Sequence, residues 1–134
     1  MNDMSKTNPA VMRTPLGRVR GLGSAKSGTH HWWMQRVTSI ALLPLTLWFV
    51  VSMLSLAGAS YAQTRAFLAW PVNAVLMLAL IGLTFHHIAA GLQVVVEDYL
   101  RKDMQRIAAL LVIKGGCWLM ALVCAFAVLR VAFT

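Results

Sequence analysis

Acidic side chains are scarce in this chain, which has four Asp and Glu residues against twelve Lys and Arg among its 134 residues. Charged residues of both signs make up only 12% of the sequence, whereas 59% of it is hydrophobic and the mean hydropathy is +0.69. A soluble domain of this size is about half apolar and about a quarter charged. So small a charged fraction excludes an ordinary soluble domain. The length allows one domain at most. The composition therefore predicts a membrane protein.

Cysteine is scarce as well, with two residues, Cys117 and Cys124, in one apolar run. On a helix this spacing separates them by about 10 Å along the axis, which is too far for a disulfide. We interpret both as small apolar side chains that fill space. A long apolar segment is also missing from residues 1–31, so we predict no cleavable signal peptide.

The net charge of +8 raises the question of nucleic-acid binding, but the positions of the basic residues argue against it. They flank apolar segments, and neither a basic helix nor a set of stacking aromatic residues accompanies them. Basic residues beside apolar runs are typical of the cytoplasmic side of a membrane protein. We therefore expect contact with membrane lipid and no nucleic-acid partner.

Three long apolar runs follow a polar beginning, at residues 37–56, 71–96 and 107–133. Each has about the 20 residues that a helix needs to cross the hydrocarbon core, and runs of this length without alternation are helices. We predict an all-α membrane protein with three transmembrane helices. Residues 1–29 are expected to form a flexible basic cytoplasmic tail, and residues 30–134 the three-helix membrane anchor domain.

Lys and Arg residues are distributed unevenly among the segments that flank these runs. The break at residues 97–106 has three of them and the loop at residues 57–70 has one, whereas six lie at or before the start of helix one: Lys6, Arg13, Arg18, Arg20, Lys26 and Arg36. Positively charged segments stay in the cytoplasm. We therefore predict a cytoplasmic N-terminus, a cytoplasmic 97–106 break and a periplasmic C-terminus, in a multi-pass protein of the bacterial inner membrane.

The segment LTFHHIAAGLQVVVEDYL, residues 83–100, places two adjacent histidines, His86 and His87, inside an apolar run. Ionisable residues at membrane depth are costly and usually functional. If Asp98 marks the cytoplasmic interface, His87 lies about 16 Å deep, close to the bilayer middle. Lys114, in the third run, is a further ionisable residue, which either snorkels to the headgroups or is functional.

Two interpretations of the histidine pair remain open. In the structural one, a neutral imidazole is hydrogen-bonded to a neighbouring helix; in the functional one, it is an axial ligand of a haem. Because His30 and His31 precede helix one, a second axial histidine would have to come from another subunit. The spacing modestly favours His87 over His86, since Gly91 one turn later removes a side chain from the face on which a flat macrocycle would lie.

Further polar residues lie at the cytoplasmic end of these helices. Asp98 follows His87 by three full helical turns, so both point to the same side, and Tyr99 stands next to it. Tyr99 is either an interfacial belt residue or a hydrogen-bond donor to a quinone carbonyl. Arg36 and His30, at the entry to helix one, are either headgroup anchors or partners of haem propionates.

Two motifs occur in order along the chain. The segment from His87 to Tyr99, read as H-x3-G-x6-D-Y, resembles the second helix of the small hydrophobic membrane anchors of succinate dehydrogenase (complex II). The segment from Gly28 to Ile40, read as G-x-H-x5-R-x-T/S, is similar to the first helix of that family. The resemblance covers about residues 28–130.

The resemblance implies a non-catalytic subunit of succinate:ubiquinone oxidoreductase, an enzyme of electron transport and the tricarboxylic acid cycle. Such a subunit tethers a flavoprotein subunit and an iron–sulfur subunit to the membrane, and with a second anchor subunit it binds haem b and forms the site of ubiquinone reduction. By the motif, His87 would be one axial haem ligand, and Tyr99 would hydrogen-bond the quinone with electrostatic support from Asp98. Arg36 and His30 would contact the haem propionates.

Two alternatives remain beside this interpretation. One is the anchor of a fumarate reductase that uses menaquinone. The other is a small accessory membrane protein without a cofactor, whose histidines only satisfy hydrogen bonds between helices. A reduced-minus-oxidised spectrum of the purified complex distinguishes the accessory protein from the anchors of succinate dehydrogenase and fumarate reductase. Only a haem protein gives a b-type band.

Overall fold

The computed structural model describes residues 27–134, and all regular structure within that range is helical. In chain order, α1 is Ser27–Ser55, α2 is Tyr61–Ala69, α3 is Pro71–Tyr99 and α4 is Asp103–Phe133. In this described part of the chain, three helices are long and apolar enough to cross a membrane: Gly28–Ser55, Pro71–Tyr99 and Asp103–Phe133. The predicted all-α membrane protein with three transmembrane helices is confirmed.

The long helices extend beyond the apolar runs that predicted them. Helix α1 begins at Ser27 rather than at residue 37, α3 ends at Tyr99 rather than at residue 96, and α4 begins at Asp103 rather than at residue 107. A helix satisfies its backbone hydrogen bonds internally, so it continues through the headgroup layer where polar side chains are favourable. The predicted flexible tail, residues 1–29, lies outside the described residues except for its last three, which belong to α1.

The segment between the first two apolar runs, predicted as a loop, contains the short helix α2. The Ser60 hydroxyl accepts a hydrogen bond from the backbone N–H of Gln63 at 3.4 Å, and the Gln63 side chain accepts one from the backbone N–H of Ser60 at 2.8 Å. Such a capping box satisfies two backbone donors at once and starts the helix. Gly58 precedes it with a φ of 80°, a left-handed conformation that favours glycine. With nine residues, α2 is too short to span a membrane.

Helix α3 starts at Pro71, immediately after Trp70, as the sequence predicts. Proline suits the first helical position because an N–H there has no partner within the helix. The Asn73 side chain donates a hydrogen bond to the carbonyl of Phe67 at 2.9 Å, which ties the first turn of α3 to α2. The Phe67 ring in turn stacks on Trp48 of α1, with the ring centres 6.3 Å apart.

Few side chains are buried between these helices. Within residues 28–134, the buried ones are Thr38, Ser52, Met77, Leu80, Ala90 and Val96. None of the residues of the described helix α4 is buried, and large apolar side chains such as Leu43 and Leu111 are more than two-thirds exposed, at 71% and 75%. Such an apolar exterior is stable against lipid tails or against other membrane helices, not against water.

Candidate functional site

The imidazole of His87 is half-buried and lies against α1. Its Nδ1 atom is 3.0 Å from the hydroxyl oxygen of Thr38, and its Nε2 atom is 3.4 Å from the amide nitrogen of Gln35. His87 precedes Tyr99 by twelve residues, about 18 Å of helix, so the ring lies at membrane depth. These contacts are the ones that the structural interpretation predicts, an imidazole hydrogen-bonded to a neighbouring helix.

Helix α1 carries a row of polar side chains at this level. His31, Gln35 and Thr38 follow one another at spacings of four and three residues, which places them on one face of the helix. Nε2 of His31 and Oε1 of Gln35 are buried and have no hydrogen-bond partner among the described residues. A buried polar atom without a partner costs about 1–3 kcal/mol. A polar or ionic group that binds at this face could form hydrogen bonds with these two atoms and remove that cost.

Gly91 lies one turn after His87 on the α1-facing side of α3. A Cβ atom at this position would be 3.6 Å from the amide nitrogen of Gln35, an ordinary van der Waals distance. His87 and Gly91 therefore share one side of α3, as the H-x3-G spacing predicts. The glycine keeps this side flat next to the imidazole.

His86 points elsewhere. Its exposed side chain lines a small cavity of about 90 Å³ between α3 and α4, together with Phe85, Cys117 and Trp118. The two adjacent histidines thus face different helices. In the described part of the chain, the polar row of α1 hydrogen-bonds His87 and not His86. The structure therefore distinguishes His87, which contacts α1, from His86, which lines the cavity between α3 and α4.

The last turn of α3 carries the other two residues predicted for the site, Asp98 and Tyr99. Both are exposed, and the Tyr99 side chain is 81% exposed. Glu97, just before them, accepts a hydrogen bond from the Gln93 side chain at 2.7 Å and is held on its own helix. The carboxylate of Asp98 and the hydroxyl of Tyr99 are thus accessible to a partner subunit or a ligand at the membrane surface.

The residues predicted to bind propionates lie in the first turns of α1, and both are exposed. The guanidinium carbon of Arg36 is 5.4 Å from the centre of the Trp32 ring, a cation–π distance. Trp32 also stacks on Trp33, with 6.0 Å between ring centres. This arrangement fits an interfacial anchor and equally holds the Arg36 charge where an anion can reach it. His30 has an exposed side chain, whereas His31, next to it, belongs to the buried polar row.

Sequence reasoning did not assign a role to Thr38, Gln35 or His31. Thr38 occupies the T/S position of the first-helix motif, but the motif alone names no partner for it. The available signal was the spacing of the three residues, which puts them on one helix face opposite a membrane-embedded histidine. Only the rotation of α1 against α3 shows that Gln35 and Thr38 contact His87.

The chemistry open to this site is that of a single imidazole at membrane depth. Among residues 27–134, no group of three or more His, Cys, Asp or Glu side chains is close enough together to hold a metal ion. A prosthetic group that brings its own equatorial ligands needs only one or two axial side chains, which an imidazole can supply.

Comparisons with known proteins agree with the fold. The chain matches the family described as "Succinate dehydrogenase/Fumarate reductase transmembrane subunit" over residues 10–126. It is 31% identical over 102 residues to the succinate dehydrogenase hydrophobic membrane anchor subunit of Rickettsia bellii, covering 76% of this chain and 82% of that protein. It is 27% identical over 117 residues to the subunit of the same name from Paracoccus denitrificans, covering 87% of this chain and 90% of that protein.

The family match spans the first two long helices, most of the third and both motifs, and it agrees with the resemblance seen in the sequence. The extent of the family match, together with the identity to a relative of nearly the same length, shows the family. The chain is a multi-pass bacterial membrane protein that belongs to the succinate dehydrogenase and fumarate reductase transmembrane subunits, as a hydrophobic membrane anchor.

Proposed function

We propose that this chain is the membrane anchor of a succinate:ubiquinone oxidoreductase, that it binds haem b together with a second anchor subunit, and that it contributes to the ubiquinone-reduction site. The observation that carries the proposal is the half-buried imidazole of His87 at the middle of a membrane-spanning helix in a chain of this family. As the anchor, it tethers a flavoprotein subunit and an iron–sulfur subunit to the membrane. The relatives from Rickettsia bellii and Paracoccus denitrificans are succinate dehydrogenase anchors, which favours this direction over fumarate reduction.

The residues around His87 fit a haem. His87 is half-buried rather than enclosed, so a partner helix can approach the ring. Its Nε2 atom faces the flexible side chain of Gln35 at 3.4 Å, a contact at the limit of hydrogen bonding that a metal ion can replace when the amide swings aside. Gly91 leaves the adjacent turn without a side chain, so a flat ring can lie against α3. When bound, the haem supplies a one-electron redox centre inside the membrane.

The basic residues at the start of α1 suit the charged edge of such a group. Haem propionates at partial burial need cationic partners, and Arg36 lies at the interface against Trp32. His30 is the second residue proposed for this role, with an exposed side chain that a propionate can reach. The orphaned Nε2 of His31 is on the neighbouring buried face and is available for a hydrogen bond there.

The quinone is proposed to bind at the last turn of α3. The Tyr99 hydroxyl, on a side chain that is 81% exposed, donates a hydrogen bond to a quinone carbonyl oxygen. Negative charge grows on that oxygen during reduction, so the hydrogen bond strengthens as the reaction proceeds. Asp98, its exposed neighbour, supports the same position electrostatically.

The orientation in the membrane is part of the proposal. The quinone site must face the iron–sulfur subunit, and the predicted cytoplasmic side carries nine Lys and Arg residues up to Arg36 and in the 97–106 break. Arg65 and Arg130 lie on the opposite side. The imbalance favours a cytoplasmic N-terminus and a periplasmic C-terminus.

Cysteine labelling tests this orientation. In a chain whose own cysteines are replaced by alanine, an impermeant maleimide added to spheroplasts should label Ala57→Cys, between α1 and α2. It should label Lys102→Cys, between α3 and α4, only after the membrane is permeabilised. Both positions are exposed, so accessibility to the reagent depends on the side of the membrane. The opposite pattern would place the quinone site on the periplasmic face and contradict the proposal.

Purification tests the function as a whole. A tagged copy of the chain, expressed in place of the native one and isolated from membranes in mild detergent, should bring with it succinate:ubiquinone reductase activity. Its dithionite-reduced minus oxidised spectrum should contain a b-type band. A preparation that lacks both would favour the accessory protein. A preparation that reduces fumarate with menaquinol faster than it oxidises succinate would favour the fumarate reductase.

A further inference from the structure

We infer that Thr38 is a positioning residue for His87: its hydroxyl oxygen accepts a hydrogen bond from Nδ1–H and so keeps the lone pair on Nε2, the nitrogen that would ligate the haem iron. This inference rests on the proposed haem ligation and deepens it. It assigns the hydroxyl of the first-helix motif to one atom of the second-helix histidine.

The geometry around Thr38 is that of a fixed partner. Thr38 is 2% exposed, the lowest exposure of any buried residue in the described part of the chain. Its Oγ1 atom is 3.0 Å from Nδ1 of His87, a normal hydrogen-bond distance. The β-branched side chain is restricted to few rotamers within a helix, so the oxygen has little freedom to leave this position.

The direction of the hydrogen bond follows from counting protons. A threonine hydroxyl has one proton, and here Oγ1 lies 2.9 Å from the carbonyl oxygen of Met34 and 3.1 Å from that of Gln35. These oxygens can only accept, so the proton goes to one of them. Toward His87 the hydroxyl therefore presents a lone pair and accepts from Nδ1–H. The amide nitrogen of Gln35, which can only donate, faces Nε2 and requires the same tautomer.

This tautomer has two consequences for a ligand histidine. The ring cannot rotate without losing the hydrogen bond, so the plane of the imidazole is set by α1. A hydrogen bond from the distal N–H also makes the coordinating nitrogen a stronger electron donor, which stabilises the ferric over the ferrous state. Removing the acceptor should therefore raise the reduction potential of the haem.

The test replaces the hydroxyl without changing the shape of the side chain. In the purified complex, Thr38→Val should weaken the preference of the site for ferric over ferrous haem by about tenfold, which for a one-electron couple is a rise of about 59 mV in midpoint potential. Thr38→Ser keeps the hydroxyl and should retain most of the native potential. Ser39→Ala is a matched control, since the Ser39 hydroxyl donates to the Gln35 carbonyl at 2.8 Å and makes no hydrogen bond to His87.

The measured potentials decide whether Thr38 positions His87 or only packs between the helices. Equal potentials in Thr38→Val, Thr38→Ser and the native complex would overturn the inference, and so would equal shifts in Thr38→Val and Ser39→Ala. If Thr38→Val does not assemble, Thr38→Ala provides a second variant without the hydroxyl, and failure of both to assemble would assign Thr38 to helix packing alone. The proposed haem ligation by His87 fails separately, if His87→Ala leaves a low-spin haem with the native potential.

Discussion

Replacing His87 by alanine should leave the haem high-spin or remove it, while replacing His86 by alanine should leave a low-spin, six-coordinate spectrum. The His87 ring meets the polar row of α1, and its loss removes one axial nitrogen. The effect on haem binding should exceed the roughly 10- to 100-fold that loss of a hydrogen-bond partner of a metal ligand costs. Optical and electron paramagnetic resonance spectra of the purified complexes measure both the spin state and the haem content.

His86→Ala is the matched control for this experiment. It removes the same side chain one residue earlier, from a position that is exposed and lines the cavity between α3 and α4. Because the His86 side chain is exposed, assembly should not suffer. Reversed spectra for the two variants would identify His86 as the ligand and the contact between His87 and Thr38 as structural.

Replacing Tyr99 by phenylalanine should lower ubiquinone reduction about ten- to hundredfold. The change removes one hydroxyl and keeps the size and the interfacial position of the ring. A hydrogen bond to a group that becomes charged contributes about 1.5–3 kcal/mol, and each 1.4 kcal/mol corresponds to a factor of ten in rate. The steady-state rate of succinate:ubiquinone reductase, measured with membranes of known subunit content, gives the result.

Two controls accompany the Tyr99→Phe measurement. Succinate oxidation by a dye that takes electrons from the soluble subunits should keep its native rate, because the substituted residue lies in the membrane anchor. The haem spectrum should also stay the same, since Tyr99 is about 18 Å of helix away from His87. Native ubiquinone reductase activity in this variant would make Tyr99 an interfacial residue only and would leave α3 without an identified quinone donor.

The fold could be predicted from the sequence because a transmembrane helix is recognised by the length and the apolar character of one continuous segment. The start of α3 at Pro71 followed from local chemistry. The boundaries predicted at residues 37, 96 and 107 were less accurate, since at these ends the helices continue into the headgroup layer, where the apolar signal stops. Helix α2 was missed, although Ser60 and Gln63 have the spacing of a capping box, because a short amphipathic segment carries no transmembrane signal.

The site was predictable where it depends on spacing within one helix. His87 and Gly91 lie on one side of α3, and Asp98 and Tyr99 lie at its exposed end, as the spacing indicated. The contact of His87 with Thr38 depends on how α1 is rotated against α3, and sequence spacing within either helix does not determine this rotation. Their roles toward haem and quinone remain predictions until the variants are measured.

The acidic last turn of α3 has an energetic consequence of its own. The peptide dipoles of a helix add up to a partial negative charge at its C-terminus, where acidic side chains are unfavourable and basic ones favourable. Helix α3 has Glu97 and Asp98 in that turn and no basic residue there. Each exposed charge so placed costs about 0.3–1 kcal/mol. An uncharged replacement such as Asp98→Asn would therefore stabilise the helix end, which means that the Asp98 carboxylate lowers the local stability of α3.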